Sequence, residues 1–213
     1  MNPLRPANLR KLADRKWLGE KIFQTGVRLR TAPPQSGSIE GFLAPIEERT
    51  IQWSVRHVPP GGKIVEVGSY KGKSAVNFAY AVRKRGGDAT IFCVDTWRNE
   101  NIEFAKNVDV FAAFEANVAR DRDLIVPLRG RSEEVGAAWD RGPIDVLFID
   151  GDHSYEGVVR DVEAWVPHVK PGGLVMFHDT GLEGVWKGIE ATLPLLKPTR
   201  KRKAWSILLY WKG

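Results

Sequence analysis

Two short segments of this chain carry the residue types that bind metals and move protons. Leu147-Phe148-Ile149-Asp150-Gly151-Asp152-His153 and Val175-Met176-Phe177-His178-Asp179-Thr180 are apolar runs that each end in carboxylate and imidazole. A short continuous apolar run bounded by polar residues reads as a buried strand. The charged groups therefore stand where strands pass into loops, the usual location of binding and catalytic residues.

A third segment binds rather than reacts. Ile64-Val65-Glu66-Val67-Gly68-Ser69-Tyr70-Lys71-Gly72-Lys73-Ser74 reads as a strand passing through a glycine turn into a helix. A triphosphate-binding loop needs four residues between its first glycine and Gly-Lys-Ser, and this turn has three. A dinucleotide fingerprint needs a glycine at position 70, where this chain has tyrosine. Glu66 argues against phosphate and for a cation or hydroxyls, and Asp95 after the next apolar run suits the two hydroxyls of a ribose. A nucleoside with a positively charged, phosphate-free tail meets all of these conditions, and S-adenosylmethionine is such a molecule.

Stepping outward, apolar strands alternate with amphipathic helices. Strands are expected at 63–67, 90–94, 124–128, 144–149 and 173–177, and helices at 74–85, 104–120, around 133–139, and at 155–166. In the last of these, Val158, Val159, Val162, Trp165 and Val166 make one apolar stripe, the face a crossover helix lays on a sheet. The pattern predicts an α/β fold with a doubly wound, mostly parallel sheet. A helix near 182–193 and a strand near 205–211, joined by a basic cluster, would close it with an antiparallel edge. Residues 1–38 read as a basic arm and linker, with Leu9, Leu12, Leu18, Ile22 and Phe23 at helical spacing and Thr31–Ser38 as the linker proper. Residues 39–213 read as one domain.

This ordered series resembles the class I S-adenosylmethionine-dependent methyltransferases, whose sheet is Rossmann-like and seven-stranded. Glu66, Gly68, Ser69, Tyr70 and Gly72, with Ser74 opening the helix, look like the first cofactor motif; Asp95 and Thr96 look like the ribose-binding acid and its neighbour, and Arg131 and Ser132 like the turn that touches adenine. Within that class the chain is most similar to the metal-dependent O-methyltransferases, including those that methylate sugars on macrolide antibiotics. The resemblance implies Asp150 as a metal ligand at the cofactor's edge, His153 as base, and His178 with Asp179 as the remaining metal ligands. The chain departs from the family at His178, where a carboxylate is usual. The implied cofactors are S-adenosylmethionine and Mg²⁺ or another divalent cation.

Composition sets the outer bounds. At 213 residues the chain suits one well-buried domain, and no stretch approaches the roughly 18–20 apolar residues of a membrane span, so a cytoplasmic protein is expected. Cys93 stands alone, which excludes an internal disulfide and a cysteine zinc site. Eight of the 32 Lys and Arg lie in the first 30 residues, and a second basic cluster spans Lys197 to Lys203. These raise an anionic partner, but Asp150-Gly151-Asp152-His153 replaces the Asn/Asp-Pro-Pro-aromatic run of base-amino methyltransferases, which speaks against nucleic acid. Trp97 and Trp186 are expected near an acceptor mouth, and Trp139, Trp165 and Trp205 in the core. A sugar or glycoside hydroxyl is the expected acceptor and a homodimer the expected assembly. A phenol, an RNA ribose, or a module that binds the cofactor without catalysis are the alternatives.

Overall fold

The computed structural model describes residues 15–98 and 109–213, so Leu9, Leu12 and the 104–108 start of one expected helix lie outside it. The order of elements is α1 (Arg15–Arg30), α2 (Pro45–Ser54), β1 (Lys63–Val67), α3 (Lys73–Lys84), β2 (Thr90–Asp95), α4 (Val110–Val118), β3 (Ile125–Arg129) and α5 (Ser132–Ala137). It continues with β4 (Ile144–Ile149), α6 (Tyr155–Trp165), β5 (Val169–Phe177), α7 (Glu183–Leu196), β6 (Arg200–Ala204) and β7 (Ile207–Trp211).

Seven strands form one sheet in the order β3-β2-β1-β4-β5-β7-β6. The first five run parallel, β7 runs antiparallel to β5, and β6 runs antiparallel to β7. This is the Rossmann-like, mostly parallel sheet expected from the pattern. The basic cluster, read as a connection, is instead the edge strand β6. A strand of five residues rich in Lys and Arg suits that place, because charged edges resist pairing with a second sheet.

Each face of the sheet is covered. Ile51 of α2, Ala75, Phe78 and Val82 of α3, and Phe114 and Val118 of α4 pack on one side. Val158, Val162 and Trp165 of α6 and Val185 and Ile189 of α7 pack on the other. The apolar stripe of α6 is thus buried as its spacing predicts, and Ser154 starts that helix by accepting the Gly157 N–H at 3.0 Å.

The segment Thr31–Ser38, expected as a linker, is docked rather than free. Ser36 is buried and its hydroxyl donates to Glu48 at 2.6 Å, the Gln35 N–H donates to Asn77 at 3.1 Å, and Gln52 donates to the Pro33 carbonyl at 3.1 Å. Phe23 and Val27 hold α1 to the body, Phe23 through an edge contact with Trp53. Leu18 and Ile22 on the same helix are exposed.

Strand register places the chemistry. Val67 lies beside Val94 and Ile149, and Ile149 beside Phe177, so the residues after β1, β2, β4 and β5 emerge side by side. The strand order reverses between β1 and β4, and a ligand crevice forms at such a reversal, outside the carboxyl ends of the strands.

Candidate functional site

A cavity of about 1110 Å³ occupies that crevice. Gly68, with φ +84°, turns the chain at its floor; a Cβ built there would stand 2.1 Å from the Asp150 carbonyl oxygen, so only glycine fits. Of the residues expected to bind the cofactor, Gly68, Ser69, Tyr70, Ser74, Asp95, Thr96, Arg131, Ser132 and Asp150 line the cavity. Glu66 and Gly72 do not. Gly72 faces Phe114 and Val118 of α4, which makes it a packing glycine at the start of α3.

Glu66 is wholly buried behind the turn, where its carboxylate accepts the Ser69 hydroxyl at 2.7 Å and its Oε1 has no partner among the described residues. Burial pushes its pKa up to about 7. Asp95 braces the turn from the other side. Its Oδ2 accepts the N–H groups of Ser69 and Tyr70, both at 2.9 Å, and its Oδ1 accepts that of Trp97 at 2.7 Å. By count of lone pairs Oδ1 keeps one acceptor position for a hydroxyl. Tyr70 and Trp97 both adopt left-handed backbone, at φ +44° and +50°, and the Trp97 indole N–H donates to the Tyr70 carbonyl at 2.8 Å. Trp97, expected at the acceptor mouth, is therefore core, with its ring against Phe111 and Phe114.

At the mouth, Asp150, His153 and Asp179 converge, each offering an atom within 4.8 Å of the others. His153 Nε2 lies 3.5 Å from Asp150 Oδ1 and 3.7 Å from Asp179 Oδ2. Contact with Asp150 holds the His153 pKa above its ordinary value, outweighing partial burial. Asp179 adopts φ +49°, a conformation rare for a residue with a side chain and common at working sites. Its carboxyl is held below the usual range by His178.

His178 lies beneath this trio with both ring nitrogens turned to carboxylates. Nδ1 meets Asp150 Oδ1 at 3.0 Å, and Nε2 stands 3.2 Å from Glu47 Oε2 in an ion pair too oblique for a hydrogen bond. Burial disfavours its charge, but Asp150, Asp179 and Glu47 outweigh burial and raise its pKa to about 12.

Glu47 comes from the first turn of α2. Its Oε2 accepts the Ala44 N–H at 2.8 Å, and its Oε1 accepts the N–H of Ser206 at 3.1 Å and the Ser206 hydroxyl. In the sequence it reads as an ordinary helix-starting acid, with nothing to point to β5. Asp161 is the other residue missed. It is buried, it lines the cavity from α6, and burial raises its pKa to about 7. Its signal was present, because position 161 falls on the same helical face as Val158, Val162 and Trp165.

Residues 65–180 match the family model described as a methyltransferase domain. The chain belongs to this methyltransferase family. Among curated proteins it is 30% identical, over 128 residues, to the uncharacterized protein y4gI of Sinorhizobium fredii, a match covering 60% of this methyltransferase and 14% of y4gI. The chain thus spans about one-seventh of that relative's length.

Among solved structures, CalS11, described as a TDP-rhamnose 3'-O-methyltransferase of calicheamicin biosynthesis, aligns with a TM-score of 0.60 at 18% identity over 97% of this chain and 92% of its own. TomG from Streptomyces achromogenes, an O-methyltransferase of tomaymycin synthesis solved with S-adenosylmethionine, aligns with a TM-score of 0.64 at 13% identity over 93% and 99%. At these identities the likeness is one of fold. Among the described residues no helix of this methyltransferase is long and apolar enough to cross a membrane.

Proposed function

We propose that this methyltransferase uses S-adenosylmethionine to methylate a hydroxyl of a sugar, glycoside or other saccharide-containing acceptor, with a divalent cation such as Mg²⁺ at the acceptor end. The observation that carries the reading is the convergence of Asp150, His153 and Asp179 at the mouth of a cavity whose floor is the Gly68 turn. The fold shared with a sugar O-methyltransferase and with an enzyme solved with S-adenosylmethionine supports it.

The donor set suits these partners. Asp150 and Asp179 are partly exposed hard oxygen donors, which favours Mg²⁺, and they would hold the cation between them. His178, expected as a third ligand, is better read as the group that holds Asp150 in place, because both of its nitrogens are engaged. Asp95 suits ribose hydroxyls, and Arg131 with Ser132 the adenine end. When bound, S-adenosylmethionine supplies an electrophilic methyl group, and the cation supplies charge that lowers the pKa of a neighbouring hydroxyl.

The chain's own residues do the rest. His153, whose ring stands beside Asp150 and Asp179 at the cavity mouth, takes the proton of the acceptor hydroxyl. The rigid strand ends hold base and carboxylates in line with the cofactor turn, so the acceptor oxygen is positioned as well as activated. The exposed Leu18, Ile22 and Leu29 of α1 form an apolar strip that a second copy of the chain would cover in a homodimer.

The test is transfer of labelled methyl from S-adenosylmethionine to a panel of saccharides, phenols and RNA, with and without chelator and added metal. Saccharide methylation that chelator abolishes and Mg²⁺ restores is expected. Activity on phenols alone, or full activity in chelator, would overturn the reading.

A further inference from the structure

A second concavity, of about 510 Å³, lies between α1, residues 44–46 and the β6–β7 turn. Its place in the fold links it to the catalytic end. β6 runs antiparallel to β7 and β7 antiparallel to β5, so the β6–β7 turn emerges at the same end of the sheet as His178 and Asp179. Ser206 in that turn bonds to Glu47, which faces His178, and its carbonyl accepts the Thr180 N–H at 3.1 Å. One continuous strap serves both cavities, residues 41–43 lining the first and 44–46 the second.

The lining is aromatic and cationic. Trp17, Lys21 and Arg28 recur along one face of α1, with Glu20 the lone acid, and Lys203 and Trp205 close the other side. Lys21 Nζ stands 5.9 Å above the Trp17 ring, which orders a cation and an aromatic face together. Trp205, expected in the core, is 66% exposed and adopts φ +58°. The two-residue hairpin turn sets that backbone, and it holds the indole open to solvent beside the groove.

We propose that this groove is a distal acceptor subsite that binds an anionic group carried by the acceptor, a sugar phosphate or a sugar carboxylate, while the hydroxyl to be methylated reaches Asp150 and Asp179. The three cations outnumber the one acid, and the two indoles offer faces to the apolar side of a sugar or to a base. The inference rests on the sugar-methylating reading above and narrows its substrate class to acidic saccharides.

The full chain loaded with S-adenosylhomocysteine would be titrated with glucose, glucose 1-phosphate, UDP-glucose and glucuronate, by calorimetry and tryptophan fluorescence. An anionic sugar is expected to bind at least tenfold more tightly than glucose, with an advantage that shrinks as salt rises. The double variant K21E/K203E should lose most of that advantage, and Trp205→Asn, which suits the left-handed backbone, several-fold of it. The phosphate and glucuronate arms separate the two sources of negative charge. Equal affinity for glucose and every anionic sugar, or undiminished anion preference in K21E/K203E, would overturn the proposal. Failure of the wild-type chain to bind S-adenosylhomocysteine would instead overturn the cofactor reading.

Discussion

Glu47 Oε2 stands 3.2 Å from His178 Nε2, and this buried pair ties the start of α2 to the end of β5. His178 passes the constraint to Asp150 through its other nitrogen at 3.0 Å. A carboxylate that orients a histidine, which in turn orients Asp150, the carboxylate proposed to hold a metal, works through geometry and charge without touching substrate. Glu47→Gln keeps the size of the side chain and an acceptor for the Ala44 N–H. It should lower methyl transfer about 10- to 100-fold and also lower the melting temperature, because His178 loses one of its buried carboxylate partners. Transfer rate and thermal unfolding measured on the same preparation decide it.

His153→Ala should reduce transfer by about 10²- to 10⁴-fold, the range for loss of a positioned base. Affinity for S-adenosylhomocysteine and for Mg²⁺ should change little, because the carboxylates remain. A large loss of metal affinity would move His153 from base to ligand.

Asp179 separates chemistry from backbone. At φ +49°, asparagine is tolerated and alanine is not. Asp179→Asn should abolish stimulation by metal with a near-normal denaturation midpoint. Asp179→Ala should in addition lose about 1 kcal/mol of stability. Equal midpoints for the two variants would refute the strain.

Glu66 makes stability depend on pH. Its folded pKa of about 7 lies above the unfolded value of 4.5, so the folded state favours the neutral acid. Its stabilising contribution is complete below pH 4.5 and is lost as pH rises through 7, up to about 3 kcal/mol. Glu66→Gln should therefore gain stability relative to wild type between pH 5 and pH 8. Parallel pH curves from chemical denaturation of the two proteins would rule it out.

Gly68→Ala should fail to accumulate as folded protein, or lose roughly 3 kcal/mol or more, because its Cβ would meet the Asp150 backbone. Soluble yield and unfolding of the variant test this.

Much of the architecture could be read from periodicity. β1, β2, β4 and β5 are continuous apolar runs, and α6 shows a stripe that only a sheet could cover. The acids at strand ends follow from the same reading, since a run that must be buried dictates where its polar flank emerges. Three other features were not legible. β6 is a strand because β7 offers it hydrogen bonds, which no local property of Arg200–Ala204 announces. Trp97 and Trp205 exchange their expected places because each position is set by a turn, one folded under Phe111 and Phe114 and the other turned outward. Glu47 meets His178 only through the tertiary fold, so neither residue's neighbours in sequence predict the pair.

The contact between Gly68 and Asp150 has a consequence for how such enzymes diversify. The Gly68 turn and the Asp150 strand end are joined main chain to main chain, with the Asp150 N–H donating to the Val67 carbonyl at 2.9 Å. Side-chain mutation cannot lengthen or shorten that span. If the proposed function holds, new acceptors would be reached by rebuilding the rim, the 41–47 strap and the β6–β7 turn, with the spacing between the Gly68 turn and the Asp150 strand end kept.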